Sequence, residues 1–163
     1  MDLLILITLG TNDKSFVRLL NEVQKLIDQG KITDRVVVQA GVTEFKSSTM
    51  EIFDLIPFSQ FDDLINQCDL LITHGGVGSI TTGLKKGKTV IAVPRLAQYG
   101  EHVNDHQLQI IDNFDKAGYI IGLADVSQLE EALVTAKTFT PNAYQSNTEN
   151  MIALVKQCIE ESL

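Results

Sequence analysis

A glycine-rich turn with the sequence HGGVGS, from His74 to Ser79, holds the residues best suited to chemistry. Its glycines are Gly75, Gly76 and Gly78. Glycine allows positive φ and lets the backbone approach a ligand closely. A helix predicted to begin near Val77 points its free amides and the positive end of its dipole into the turn, and Ser79 adds a hydroxyl donor or caps that helix. The turn therefore predicts a phosphate or diphosphate site, to which His74 donates a hydrogen bond.

A second group of polar side chains lies in the long segment PRLAQYGEHVNDHQ, from Pro94 to Gln107. Its hydrogen-bonding residues are Arg95, Tyr99, Glu101, His102, Asp105, His106 and Gln107. Such a density of donors and acceptors suits recognition of a polyhydroxylated ligand, and a metal site is the alternative. His102 and His106 are four residues apart, but no glutamate follows His102 as an H-E-x-x-H metal site requires. We therefore expect no metal here.

Several other functions are disfavoured by the sequence. The net charge of −8 argues against binding of nucleic acid, which depends on lysine and arginine, but not against a nucleotide held by backbone amides. A G-x-G-x-x-G dinucleotide fingerprint would need glycine at Thr81 and a place after the first strand, and neither condition is met. A serine nucleophile in a G-x-S-x-G turn is also missing, so a covalent hydrolase is not expected.

Short, continuously apolar runs predict strands, and amphipathic segments between them predict helices. The predicted strands are Leu3–Leu9, Arg35–Gln39, Glu51–Ile56, Leu70–Thr73, Thr89–Val93 and Tyr119–Gly122. The predicted helices are Ser15–Gln29, Phe61–Gln67, Val77–Lys86, Asn104–Ala117, Ser127–Ala136 and Tyr144–Ser162. Strands that are apolar at successive positions suit a parallel sheet covered on both faces. The alternation predicts a doubly wound α/β sheet, with ligands bound beyond the carboxyl ends of its strands.

The loops expected at that edge are Gly10–Lys14, Ile56–Gln60, His74–Ser79 and Pro94–Gln107. In the first loop, Gly10, Thr11 and Asn12 offer small and polar groups, although an ordinary turn explains them equally well. Cys68 and Cys158 are far apart in apolar segments, which predicts buried thiols and fits a reducing cytoplasm. No apolar run reaches the ~20 residues that a bilayer-spanning helix needs.

The last predicted helix is apolar along one arc. The residues of that arc are Met151, Ile152, Leu154, Val155, Cys158 and Ile159. Packing on the helix's own domain and docking onto a second polypeptide both explain this pattern, and periodicity alone does not separate them.

The stretch DLLITHGGVGSITTGLKKGKTVIAVP, followed by HVNDHQ, resembles the C-terminal, donor-binding half of GT-B glycosyltransferases. The likeness is closest to glycosyltransferase family 28 and its single-domain relatives, and it covers nearly the whole chain. It implies one Rossmann-like domain over residues 1–163. Within that group the chain looks most like the catalytic subunit of two-subunit UDP-sugar transferases, and the segment VPRLAQYGEHVNDHQ resembles the bacterial capsule and exopolysaccharide branch.

This resemblance implies a role for each matching position. The diphosphate of a UDP-sugar would be held by His74, Gly75, Gly76, Gly78 and Ser79, together with Gly10, Thr11 and Asn12. Uracil would be cradled by Ile56, Pro57 and Phe58, and the donor sugar would contact His106 and Gln107, with Glu101 and Arg95 from the same segment. Thr82 stands where the family often has a ribose-binding glutamate, so either Thr82 makes a weaker contact or Glu101 substitutes for that acid.

The implied activity is inverting, metal-independent transfer from a UDP-sugar, such as UDP-Gal, UDP-Glc or UDP-GlcNAc, to a lipid-diphosphate-linked sugar. The family's acceptor domain has no counterpart here, so a membrane-anchored partner subunit is expected to supply it and to hold the chain at the inner face of the plasma membrane. Glu101 and His74 are candidates for the general base, but the partner subunit is expected to supply it. A non-catalytic nucleotide-sugar-binding or regulatory module, suggested by Thr82, is the alternative.

Overall fold

The computed structural model describes residues 3–144 and 148–161. Its framework is a six-stranded sheet in which every neighbouring pair of strands runs parallel, in the order β3-β2-β1-β4-β5-β6. The strands are β1 (Leu4–Thr8), β2 (Arg35–Gln39), β3 (Glu51–Phe53), β4 (Leu70–His74), β5 (Thr89–Val93) and β6 (Ile121–Gly122). This confirms the α/β class and the parallel sheet that the apolar runs predict.

Helices cover both faces of the sheet. They are α1 (Val17–Asp28), α2 (Phe58–Gln67), α3 (Val77–Lys85), α4 (His106–Lys116), α5 (Leu129–Ala136) and α6 (Thr148–Glu161), with short 3-10 turns at Ala97–Tyr99 and Val126–Gln128. Successive residues of a strand point to opposite faces, so Ile5 and Ile7 join a core with α1 and α5, whereas Leu4 and Leu6 join a second core with α2, α3 and α4. The sheet is therefore doubly wound.

Several predicted boundaries differ from the structure by a few residues, and three of these differences have a clear local reason. Strand β3 ends at Phe53 and not at Ile56, because its neighbour β2 ends at Gln39 and leaves little further to pair with. Helix α2 begins at Phe58, three residues before the predicted start, with Pro57 at its N-cap. Strand β6 lacks Tyr119, because the N–H of that residue donates to the carbonyl of Phe114 at the end of α4.

The strand order places β1 beside both β2 and β4, and the helices that follow β1 and β4 lie on opposite faces. This is the topological switch point of the sheet. Where the connections after two adjacent strands turn to opposite faces of the sheet, a crevice opens between them. Open α/β sheets bind ligands in that crevice. The loop after β1 and the glycine-rich turn after β4 therefore face each other.

Helix α6 packs against α4, and the side-chain amide of Asn113 donates to the sulfur of Cys158 at 2.7 Å. Packing on its own domain is therefore confirmed for this part of the helix, while Ile152 and Ile159 on the same helix are exposed. The side chains of Met151 and Leu154, and the predicted helical residues 145–147 and Ser162, lie outside the described residues. Cys68 and Cys158 are both buried, as expected. Among the helices described here, none is long and apolar enough to cross a bilayer.

Helix α3 lies close to the sheet because Gly83 has no side chain. A Cβ at that position would come within 2.8 Å of methyl groups of Leu71 on β4 and Val90 on β5. We expect Gly83→Ala to lower the free energy of unfolding by roughly 1–2 kcal/mol, because overpacking outweighs the gain in helix propensity. Urea denaturation measures this change.

Gly78→Ala in the same helix is the matched control, because a Cβ there meets nothing within 4 Å. Its free energy of unfolding should stay the same or rise by up to about 1 kcal/mol. Equal effects of the two substitutions would contradict close packing at Gly83.

Candidate functional site

A cavity of about 570 Å³ opens at the switch point, beyond the carboxyl ends of β1 and β4. The structure brings together in its lining most of the residues predicted for the diphosphate and uracil sites. These are Gly10, Thr11, Asn12, Ile56, Phe58, His74, Gly76, Gly78 and Ser79, and Gln107 joins them. The cavity is large enough for a small-molecule ligand.

The glycine-rich turn presents the start of α3 to this cavity. Gly76 is the N-cap residue and makes no side-chain capping bond, so the first amides of the helix have neither a cap nor an intrahelical acceptor. The positive end of the helix dipole lies at the same place. A phosphate group is the kind of ligand that such a helix start binds.

The imidazole of His74 fills the space between Gly10 and Gly76. A Cβ at either glycine would overlap the ring, and Gly10 also has a φ of 77°, which side-chain-bearing residues rarely adopt. Both glycines are therefore required by the neighbouring histidine, as well as by any ligand that approaches the backbone.

His74 is linked to two other residues of the lining. Its Nδ1 lies 3.2 Å from the amide nitrogen of Gln107, and its Nε2 lies 3.5 Å from the hydroxyl of Ser79. Burial lowers the pKa of His74 to about 4, and the positive charge of Arg95 contributes to that shift. The ring is therefore neutral at physiological pH.

Thr8 and Gln39 form part of the lining that the sequence analysis missed. The hydroxyl of Thr8 donates to the amide oxygen of Gln39 at 2.6 Å, and the amide nitrogen of Gln39 donates to the carbonyls of Gly10 and Asp54, each at 3.2 Å. These bonds tie the loop after β1 to the loop after β3. A signal was available, since each is a polar residue that ends an apolar strand.

Arg95 and Glu101, predicted to contact the donor sugar, do not line the cavity. The buried guanidinium of Arg95 donates to the carbonyls of Leu9 at 2.6 Å, Lys14 at 2.8 Å and Glu101 at 3.1 Å. The carboxylate of Glu101 accepts bonds from Arg18 at 2.9 and 3.0 Å and from the N–H of Leu96 at 3.1 Å. Arg95 therefore holds the long loop after β5 against the loop after β1, and Glu101 holds the same long loop against α1.

Four further predicted residues lie beside the cavity lining. Pro57 caps α2, and the hydroxyl of Thr82 donates to the carbonyl of Gly78 at 2.7 Å. Gly75 and His106 line a neighbouring cavity of about 320 Å³, which Gly76 and Gln107 share and which α6 closes on its far side. The predicted sugar-binding pair is thus divided, because Gln107 reaches the larger cavity and His106 does not.

The larger cavity has both polar and apolar walls. Leu55, Phe58 and Phe61 form an apolar wall, and the first two are exposed at the rim. None of the described residues that line it is an aspartate or a glutamate. Within residues 3–144 and 148–161, no group of three or more histidines, cysteines or acids is arranged to hold a metal ion.

Curated relatives match part of the chain. It is 32% identical over 91 residues to the UDP-N-acetylglucosamine transferase subunit ALG13 of Candida albicans, a match that covers 56% of this chain and 29% of that protein. The ALG13 subunit of Cryptococcus neoformans is 33% identical over 75 residues, which is 45% of this chain and 35% of that protein. The matches therefore span about a third of each relative.

Solved structures show the same fold over nearly the whole chain. A solution structure of ALG13 superposes with a TM-score of 0.63 and 19% identity, covering 97% of both chains. MurG of Acinetobacter baumannii gives 0.55 and 19% identity over 96% of this chain and 50% of that one. Os79 of O. sativa, solved in complex with UDP, gives 0.59 and 13% identity over 96% of this chain and 35% of that one.

The model of one protein family spans almost the entire sequence. Residues 4–161 match the glycosyltransferase family 28 C-terminal domain. This match includes β1 with the loop that follows it, the glycine-rich turn and every helix described above. The chain belongs to the glycosyltransferase family 28 C-terminal domain family.

Proposed function

We propose that residues 1–163 form one domain that binds the donor in a UDP-sugar glycosyltransferase. The observation that carries this proposal is the uncapped start of α3, which opens into the switch-point cavity opposite the loop after β1. Family membership and the names of the curated relatives point to the same activity.

The donor's diphosphate is assigned to the turn at Gly76, Gly78 and Ser79, with Gly10 and Asn12 opposite. Backbone N–H groups and a helix dipole neutralise a diphosphate without lysine or arginine. Neutral His74 adds one more donor at the same place. This arrangement explains how a chain with a net charge of −8 can bind an anion.

The nucleoside is assigned to the apolar wall. Leu55 and Phe58 stand at the rim and Ile56 lines the cavity beside them, so a planar base can pack there and pair with nearby backbone groups. The ribose hydroxyls have fewer side-chain partners. The hydroxyl of Thr82 already donates to the carbonyl of Gly78, and the carboxylate of Glu101 is paired with Arg18. Weak donor binding by the isolated chain follows from this pattern.

In the proposed reaction the acceptor hydroxyl attacks the sugar carbon and UDP leaves. The helix start and the glycine amides stabilise the negative charge that develops on the diphosphate. A divalent metal ion usually needs carboxylate ligands, and none of the described residues that line the cavity carries one. The donor set therefore supports metal-independent chemistry.

The general base is assigned to a partner chain. Deprotonation of the acceptor needs a group with a free basic atom near the sugar. Glu101 is bonded to Arg18, and His74 has a depressed pKa and a neighbour on each ring nitrogen. The curated relatives carry the word subunit in their names, which supports a second chain that completes the site.

The donor, the acceptor and the cellular setting follow from different arguments. The names of the relatives favour UDP-N-acetylglucosamine over the other UDP-sugars. The family resemblance is the basis for the proposed lipid-diphosphate-linked acceptor and for a membrane-anchored partner at the cytoplasmic face. The capsule or exopolysaccharide setting depends on the resemblance of the long loop alone, and the fungal relatives do not add to it.

A non-catalytic nucleotide-sugar-binding module is the second candidate. It is favoured by the absence of any carboxylate from the described cavity lining, which leaves both ribose recognition and base catalysis without an acid. Such a module would bind UDP-sugar by calorimetry but would show no turnover with any partner.

We expect His74→Ala to weaken UDP binding roughly 10-fold or more, because a hydrogen bond to a charged group contributes about 1.5–3 kcal/mol. Isothermal titration calorimetry with UDP measures this loss. His106→Ala is the matched control, since that histidine lies outside the larger cavity, and its affinity for UDP should equal that of the wild type. Equal UDP affinities of the wild type and both variants would show that His74 does not contact the diphosphate.

We expect sugar transfer to need two chains. Membranes that carry a candidate anchored partner should transfer radiolabel from UDP-N-acetylglucosamine to lipid only when this chain is added. UDP-galactose and UDP-glucose, tested in parallel, identify the donor. Transfer by the isolated chain at the rate of the pair would contradict the assignment of the base to a partner, and no transfer in any combination would favour the binding module.

A further inference from the structure

The side-chain amide of Gln107 has a fixed orientation. Its oxygen accepts the backbone N–H of Gly75 at 2.9 Å and that of Arg95 at 3.0 Å, and the side chain is buried. Both partners are donors only, so the amide oxygen must face them and the NH₂ group must face the other way. The ends of β4 and β5 thus determine which way the amide points.

This orientation determines where the proton of His74 lies. The NH₂ group of Gln107 faces Nδ1 of His74 at 3.2 Å and can only donate, so Nδ1 must accept and carry no hydrogen. In a neutral imidazole the proton is then on Nε2. That nitrogen is the one beside the hydroxyl of Ser79, which lines the larger cavity.

The tautomer matters because phosphate oxygens only accept hydrogen bonds. A neutral ring with its proton on Nδ1 would turn a lone pair toward the cavity and repel an anion. Gly10 and Gly76 enclose the ring closely on both sides, so its plane is also fixed. His74 can therefore offer an N–H to the cavity without becoming charged.

We propose that Gln107 is a positioning residue that holds His74 in the Nε2-protonated tautomer, so that the ring donates to the diphosphate. The ligand named here rests on the proposed function, but the tautomer belongs to the free protein. Gln107 thereby acts through His74, in addition to any contact with the donor sugar that the family resemblance implies.

Hydrogen–nitrogen correlation spectra of the unliganded chain test this directly. In the wild type, Nδ1 of His74 should resonate as an unprotonated nitrogen and Nε2 as a protonated one, across neutral and mildly acidic pH. In Gln107→Glu, a carboxylate faces the ring in place of the NH₂ group, so Nδ1 should acquire a proton. The carboxylate should also raise the pKa of His74, against burial and the electrostatic effects of Arg95 and His102, which lower it.

Gln128→Glu is the matched control. The amide oxygen of Gln128 also accepts two backbone N–H groups, those of Ala124 at 2.8 Å and Asp125 at 3.2 Å, but it lies away from His74. This variant should leave the shifts of both His74 nitrogens unchanged. A similar change in both variants would attribute the effect to net charge and contradict the proposal.

The wild-type spectrum decides the question even if Gln107→Glu does not fold. A proton on Nδ1 of His74 in the wild type would overturn the positioning role, as would an unchanged tautomer in a folded Gln107→Glu protein. Calorimetry with UDP separates this inference from the proposed function. If the tautomer is as expected but the wild type does not bind UDP, the proposed function fails while the positioning role stands.

Discussion

The amide oxygen of Gln107 binds the backbone at the ends of two adjacent strands, and the shape of the candidate site depends on that contact. By accepting N–H groups of Gly75 and Arg95, it fixes the distance between the glycine-rich turn and the long loop after β5. It also places the start of α4 beside the start of α3. The His74 ring lies between Gly10 and Gly76 in this arrangement, and no space remains there for an additional methyl group.

Arg95 extends the same arrangement to the central strand. Its buried guanidinium donates to the carbonyl of Leu9 directly after β1 and to the carbonyl of Lys14 in the loop that follows. Burial of a cation is costly, and it lowers the pKa of Arg95, whereas the negative charge of Glu101 opposes that shift. Arg18 completes the group by pairing with Glu101. The charged side chains of Arg95, Glu101 and Arg18 thus stabilise the loops around the cavity. The ligand is proposed to bind the uncharged donors, which are backbone N–H groups and His74.

Much of the fold could be predicted from the sequence, because buried parallel strands appear as continuous apolar runs. The bounds of β2 and β5 were predicted without error, whereas short edge strands such as β6 were not, since their ends depend on pairing. The candidate site could be predicted where glycine spacing determines the backbone, as at Gly76 and Gly78. It could not be predicted where the direction of a side chain depends on distant partners. Arg95 and Glu101 are polar residues in the right loop, but bonds to Leu9 and Arg18 turn them away from the cavity.

The central claim is that the switch-point cavity binds the diphosphate and base of a UDP-sugar. Titration of the isotope-labelled chain with UDP, followed through the backbone amide signals, tests it most directly. The account predicts saturable shifts at residues 10–12, at 55, 56 and 58, and at 74–79, with little change at α5, which lies on the face of the sheet opposite α3. Absence of saturable shifts at the glycine-rich turn, or shifts centred on another part of the described surface, would contradict it.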